Sequence, residues 1–435
     1  MLTVTTNRFA SCCDGLTRRD FVRVGALAGA GLTLPALLRA RATAAAEGKP
    51  TRDTAVVWLW LGGGATHVET FDPKMDAPAE YRSTVGAVNT TIPGVQIGGL
   101  LPKIASVAHY MAFVRSFSHR NAGHAGGTHW VMTGYDNRLA DNGGVPIFPS
   151  IGSITARYRG PNNHRTGIPT YIRLNGIYAD GAAWLGKAYE PFDVSGQARR
   201  NMDLRISAER LENRRTLLQC FDRMRRDIDT AGLMEGMDSF EQQAFELILS
   251  DARDAFDISK EDPRVVERYG NGLGRQLLLA RRLCEAGAGF VTIHYGGWDM
   301  HGNIANALKA RCPQLDHAVA TFVEDCVQRG LHEKILLVIT GEFGRTPRVN
   351  RSAGRDHWPA LSTLALSGGG LRMGQVVGES NSKAEVPKTT PISPQDLMAT
   401  IFTVLGMPLD LHYYNQAGRP TPMITDGKPI RELVG

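Results

Sequence analysis

The chain has 435 residues, 43% hydrophobic and 21% charged, an ordinary globular composition that suits one large domain or two modest ones. Its formal charge of +6 sits mostly at the start, where residues 1–46 carry six Arg against two Asp. The nearly balanced remainder excludes a general nucleic-acid binder, which needs a concentrated basic face.

In chain order, the first element is a leader. "TRRDFVRVGALAGAGLTLPALLRARATAAA" pairs Arg18-Arg19 with an apolar run from Gly25 to Leu38 and small residues ending near Ala46. A charged start, a mild apolar core and an A-x-A-like end predict a signal peptide. The adjacent arginines, followed by Asp20 and Phe21, give it the look of a twin-arginine signal. The run is shorter than the ~20 apolar residues of a membrane span. The expectation is export by the twin-arginine machinery to the periplasm or medium, with no transmembrane segment in the mature protein. Of the cysteines beyond the leader, Cys220, Cys284, Cys312 and Cys326, disulfides and buried thiols are equally open.

Six short apolar runs then predict buried strands: Thr54–Gly64, Tyr110–Phe117, Ile168–Leu174, Gly289–Tyr295, Lys334–Thr340 and Leu361–Gly368. Apolar residues at helical spacing predict a helix in Gly272–Gly289 and another in Asn303–Gly330, the latter broken at Pro313. Strands alternating with helices imply an α/β fold, a mostly parallel sheet with helices on both faces. Residues 193–261 read differently. They are charged and helical, a helical insertion or cap with solvated faces inside a single domain spanning 47–435.

The polar residues of interest follow the strands, where open α/β sheets bind ligands. "GGGATHVETFD" brings His67, Glu69 and Asp72; "SFSHRNAGHAGGTHW" brings His119, Arg120, His124 and His129; "GGWDMHGN" brings Asp299 and His301. "GEFGRTPRVNRSAGRDHWP" brings Glu342, Arg345, Asp356 and His357. Asp and His together select a divalent transition metal over calcium. Asp299 and His301 share a direction if locally extended, and His357 completes a three-ligand face with room for water and substrate. His67, His119 and His124 stay open between ligand and hydrogen-bonded loop residue. Glu342 is a ligand, a base or half of an ion pair with Arg345. Arg348, Arg351 and Arg355 can be plain solvated surface.

With "GGGATHVETFDPK", "GGWDMHG", "GEFGRTP" and "GRDHWP" in place, the whole mature chain resembles the bacterial family known as domain of unknown function 1501, itself similar to the alkaline phosphatase and sulfatase superfamily. That resemblance implies an alkaline phosphatase/sulfatase-like fold and a metal site of Asp299, His301 and His357, with Glu342 and His67 as further candidate ligands. The metal would be zinc, with manganese or iron as alternatives. Against the superfamily pattern, the acid after the first strand is glycine near Gly62 or Gly63, unless His67, Glu69 or Asp72 substitutes. The strand-ending pair is Glu342-Phe343, and the nucleophile position falls on His124. No cysteine precedes that helix in the mature chain, which excludes a formylglycine mechanism.

The expected function is an exported metal-dependent hydrolase of an anionic phosphate or sulfate ester, small or saccharide. Glu342 or His124 would be base or alternative nucleophile, and Arg345 and Arg120 would hold the anion. The alternatives are a non-catalytic exported binding or assembly protein on a degenerate phosphatase/sulfatase fold and a metal enzyme of redox chemistry.

Overall fold

The computed structural model describes residues 53–195 and 251–435. The leader and Cys220 lie outside them, as does most of the expected insertion 193–261. Eight strands form the main sheet: β1 (Ala55–Trp60), β2 (Met111–Val114), β3 (Tyr171–Arg173), β4 (Phe192–Asp193), β5 (Phe290–His294), β6 (Ile335–Thr340), β7 (Leu364–Gly368) and β8 (Gln375–Val377). They run in the order β8-β2-β7-β6-β1-β5-β3-β4, and all neighbours are parallel except β7, which is antiparallel to β2 and β6. All six runs predicted as strands contribute one. The short edge strands β4 and β8 lack the continuous apolar run that marks the others.

β1 is buried at every position because the sheet is covered on both sides. Val57 and Leu59 join one apolar cluster with Leu337 and Ile339; Val56, Trp58 and Trp60 join the other with Leu336 and Val338. The second cluster receives α1 (His124–Thr133), α2 (Ile151–Arg159) and α5 (Pro394–Leu405), and the first receives α3 (Leu273–Glu285) and α4 (Ile304–Gln328). α5 shows how sequence fixes an end. Ser393 and Asp396 form a reciprocal capping box, Pro394 opens the first turn, and Gly406 closes the last at φ 69°.

The expected break at Pro313 does not occur: α4 runs through it for 25 residues. A proline inside a helix costs ~3 kcal/mol. Leu308, Leu315 and Val319, on both sides of it, are fully buried, and each contributes ~1.5–3 kcal/mol. Burial along the helix therefore wins. Among the described cysteines, Cys284, Cys312 and Cys326 are buried free thiols, each pushed up by burial, Cys312 to about 12. No helix among the described residues is long and apolar enough to cross a membrane.

β1, β2, β5 and β6 point the same way, so the four loops after them, the last of which enters β7, emerge at one edge of the sheet. A buried ion pair anchors that edge. Glu69, in the short helix after β1, receives Arg355 from the loop before β7 at 2.8 and 3.1 Å, both side chains being fully buried. Arg355 is thus structural, against the expectation of solvated surface, whereas Arg348 and Arg351 are exposed. Removing one partner strands the other charge in a dry interior. Glu69→Ala is expected to lower unfolding free energy by roughly 3–5 kcal/mol, read by denaturant titration; a loss within ~0.5 kcal/mol would contradict this role.

Candidate metal centre

Four loops meet at that edge, and their backbones are pinned before any side chain is considered. The turn after β1 is Gly62-Gly63-Gly64, and Gly63 stands at φ +107° with no room for a Cβ, which would lie 2.5 Å from the Asp299 nitrogen. The loop carrying Asp299 and His301 is stitched to the loop carrying Asp356 and His357. Asn303 N–H donates to the Ser352 carbonyl (2.9 Å), Ile304 N–H to Ala353 (2.9 Å) and Arg355 N–H to Met300 (3.1 Å). Gly354 abuts the His301 carbonyl so closely that any Cβ would overlap it. A two-residue antiparallel ribbon then sets His357 opposite Arg345.

The side chains converge on Asp299. His301 Nε2 lies 3.0 Å and His357 Nε2 3.2 Å from Asp299 Oδ1, and the two nitrogens are 3.2 Å apart. His124 Nε2 comes from the other side, 3.4 Å from Asp299 Oδ2. Each imidazole is held by its far nitrogen: His301 Nδ1 to Asp356 Oδ1 (2.7 Å), His357 Nδ1 to the Ala122 carbonyl (2.8 Å) and His124 Nδ1 to Glu342 Oε1 (2.7 Å). Those oxygens accept, so each Nδ1 carries a proton and each Nε2 is turned inward. Three ring nitrogens therefore surround one carboxylate at hydrogen-bonding distance, a cluster that a bound cation would hold together.

The donor set therefore fits a divalent metal. His124, Asp299 and His357 place their ligand atoms within 4.8 Å of one another; His301 belongs with them on its distances to Asp299 and His357. Three imidazoles and a carboxylate with oxygen acceptors behind the rings are the donor chemistry of zinc and its first-row neighbours. Charge agrees. Asp299, Glu342 and Asp356 give three carboxylates against the single guanidinium of Arg345, leaving a deficit of two positive charges when the imidazoles are neutral.

Titration follows the geometry. Burial pushes the Asp299 carboxyl up, but the Arg345 hydrogen bond and charge, helped by His357 and His124, hold it down at about 2. Burial lowers His357, with Arg345 adding to the effect against the Ala122 hydrogen bond. His124 is raised by its hydrogen bond to Glu342 despite partial burial. Asp356 is lowered by its bond to His301.

Of the residues singled out in the sequence, the structure brings together Asp299, His301, His357, His124, Glu342 and Arg345. It does not bring His67 there. That ring is buried elsewhere, its Nε2 on the Ala384 carbonyl at 3.0 Å. Nor do Glu69 and Asp72 replace an acid at the first strand end: Glu69 holds Arg355, and Asp72 pairs with Lys74 and Arg115 at 3.3 and 3.4 Å. A Cβ at Gly62 would sit 2.1 Å from His294 Nε2, so no acidic side chain fits that position.

Arg345 is not a free anion clamp. It is fully buried and its donors are spent on the carbonyls of Gly63, Gly64 (2.8 Å) and Arg355 (3.1 Å), on Asp299 Oδ1 (2.5 Å) and, at 3.5 Å, on His301 Nε2. Nor is Glu342 its partner; Glu342 accepts from His124 and from Gly63 N–H at 2.8 Å. Arg120 is exposed in the loop before α1. The first-turn N–H groups of α1 are occupied by Asp141, whose carboxylate accepts from Ala125 at 2.8 Å and Gly126 at 3.2 Å.

Two residues singled out in the sequence take supporting roles that it did not assign. Asp356 orients His301, and its place directly before His357 was the available signal. His119 is a latch: its Nδ1 accepts from Asn121 N–H (3.2 Å) while Nε2–H donates to the Glu342 carbonyl (2.6 Å). His129 is structural too, Nδ1–H donating to the Tyr135 carbonyl at 2.8 Å while Nε2 accepts from Ile147 N–H at 3.2 Å.

A family model places the chain. It belongs to the family described as "Protein of unknown function (DUF1501)", whose model matches residues 53–434. No curated protein matches the sequence. Among solved structures, it is similar to Ps i-CgsB in complex with k-i-k-neocarrahexaose (TM-score 0.39, 10% identity, 82% of this chain and 72% of that one). It is similar to the PsFucS1 sulfatase from Pseudoalteromonas sp. (TM-score 0.39, 13% identity, 83% and 69%). A third likeness is the TAB5 alkaline phosphatase (TM-score 0.37, 11% identity, 83% and 99%).

Burial holds His119 down at about 4 against an ordinary 6.5, and it lowers His67 and His129 too. The unfolded chain therefore binds more protons in this range, and stability rises with pH. The stabilisation is complete above pH ~6.5 and is lost as pH falls towards ~4, on the order of 3 kcal/mol from His119 alone. Urea unfolding at these two pH values is expected to show that loss, with a smaller one in His119→Gln; equal losses in both proteins would contradict it.

Proposed function

We propose that the chain is an exported, metal-dependent hydrolase of phosphate or sulfate esters. The observation that carries this reading is the convergence of His301 Nε2 and His357 Nε2 on Asp299 Oδ1, at 3.0 and 3.2 Å, with both far ring nitrogens bonded to oxygen. Asp299, His301 and His357 would hold the metal, zinc by its donor chemistry. A metal there would polarise an ester oxygen and lower the pKa of a bound water.

The chain's own residues supply the rest. Arg345 fixes the Asp299 carboxylate, Asp356 fixes His301, and the Glu342–His124 pair borders the same space with the His124 side chain 42% exposed. Arg120, exposed four residues before His124, is free to meet an anionic substrate entering from solvent. The twin-arginine-like leader, residues 1–46, would carry the folded protein to the periplasm or medium.

A second reading is a non-catalytic binding protein, favoured by Gly62: His294 fills the space of any acid there. Both readings keep the metal and differ in turnover. Metal-loaded protein is expected to hydrolyse an aryl phosphate or aryl sulfate and to lose that activity on chelation. His301→Ala is expected to lose metal retention and turnover together, turnover by ~100-fold or more. Full activity in His301→Ala contradicts the proposal, and full metal loading without turnover selects the binding protein.

A further inference from the structure

One histidine at this edge of the sheet has no role so far. His294 ends β5, half-buried. Val291 and Ile293 join the first apolar cluster and Phe290 the second, so alternation puts His294 on the second cluster's side. Leu336 and Val338 mark that same side of β6, which continues to Glu342, and α1, opening with His124, packs there. His294 and Thr340 both pair with Trp60 of β1, which sets them two strand spacings apart, roughly 10 Å. The ring is held as the candidate ligands are. Nδ1–H donates to the Gly176 carbonyl at 3.1 Å, and Nε2 has no hydrogen-bond partner among the described residues. The backbone does not need this bond, because Asn175 donates to the His294 carbonyl at 2.8 Å and accepts its N–H at 2.7 Å. What the ring bond sets is orientation.

Missing side chains make the cradle for Nε2. A Cβ would stand 2.1 Å from it at Gly62 and 3.3 Å at Gly296. Neither glycine has a positive φ, so backbone conformation demands neither; each supplies space. Gly62 leads directly to Gly63, whose N–H holds Glu342 Oε1 at 2.8 Å and whose carbonyl accepts from the same Arg345 that fixes Asp299. Nε2 is thus one residue along a side-chain-free turn from the supports of the metal cluster.

We propose that His294 binds the ester anion, its Nε2–H donating to a non-bridging oxygen of the phosphate or sulfate. The inference rests on the hydrolase reading above and deepens it. It gives the anion a partner that Arg345, spent on carbonyls and on Asp299, cannot be. With Nδ1–H kept on the Gly176 carbonyl, the ring donates from both nitrogens once Nε2 carries a proton, and a bound anion stabilises that form. The resulting hydrogen bond is charge-assisted. No covalent bond forms or breaks at His294. Its contact is shared by the bound ester and the released anion, so it acts on binding rather than on kcat.

The test uses full-length metal-loaded protein, with an aryl phosphate and an aryl sulfate as substrates and calorimetric titration of inorganic phosphate and sulfate as binding probes. His294→Ala is expected to keep its metal, unlike His301→Ala, and to hold kcat nearly constant. KM and the Kd of the inorganic anion are expected to rise together by ~10–100-fold. His294→Gln, which keeps a donor, is expected to recover part of that affinity. Gly62→Ala displaces the ring and is expected to weaken anion binding alone, yet to add nothing in the His294→Ala background. Unchanged KM and anion affinity in His294→Ala, or loss of its metal, overturns the inference while the hydrolase reading stands. Anion binding that weakens in His294→Ala, in a protein that hydrolyses neither ester, keeps this contact and overturns the hydrolase reading. A wild-type protein that neither binds the inorganic anions nor hydrolyses the esters overturns both.

Discussion

Arg345 is the constraint on which the rest of the site depends. Its guanidinium is fully buried, and it reaches the carbonyls of Gly63, Gly64 and Arg355 and the carboxylate of Asp299. One side chain thus ties together the turn after β1, the loop after β5 and the loop before β7. A buried cation is tolerated only when its donors are satisfied, so these three loops can separate only by stranding a charge. The cost of that separation holds Asp299 in place beside the imidazoles of His301, His357 and His124.

The same arrangement gives this edge of the sheet a dense set of charged groups tied by hydrogen bonds. Glu69 and Arg355 clamp the outer side, His119 latches Glu342 from α1's approach, and Asn350 donates to the His301 carbonyl at 3.0 Å. Each is a charged or polar group working as a structural fastener. The histidines divide accordingly. His67, His119 and His129 are buried and lowered in pKa, held on backbone groups. His124, His301 and His357 keep open Nε2 atoms.

That division marks the limit of what sequence could say. The six apolar strand runs were legible because a strand buried on both faces needs uninterrupted apolar residues, whereas the edge strands β4 and β8 lack that signature. Asp299, His301 and His357 were legible from type and placement after strands. The fates of Arg345 and Arg355 were not, because an arginine in a polar loop reads alike whether it faces water or carbonyls from distant segments. His67 failed for the same reason: its partner, Ala384, is 317 residues away. Pro313 misled because a local penalty was weighed without the burial that α4 gains along its length.

The central claim is that Asp299, His301 and His357 hold a transition metal. X-ray absorption at the metal edge, on protein purified from the exported fraction without chelators, counts nitrogen ligands by the multiple scattering of imidazole rings. Two imidazoles with oxygen ligands completing the shell is the predicted result, falling to one in His301→Ala. A chain that purifies without metal and takes up none, or a bound metal with no imidazole scattering, would contradict the account.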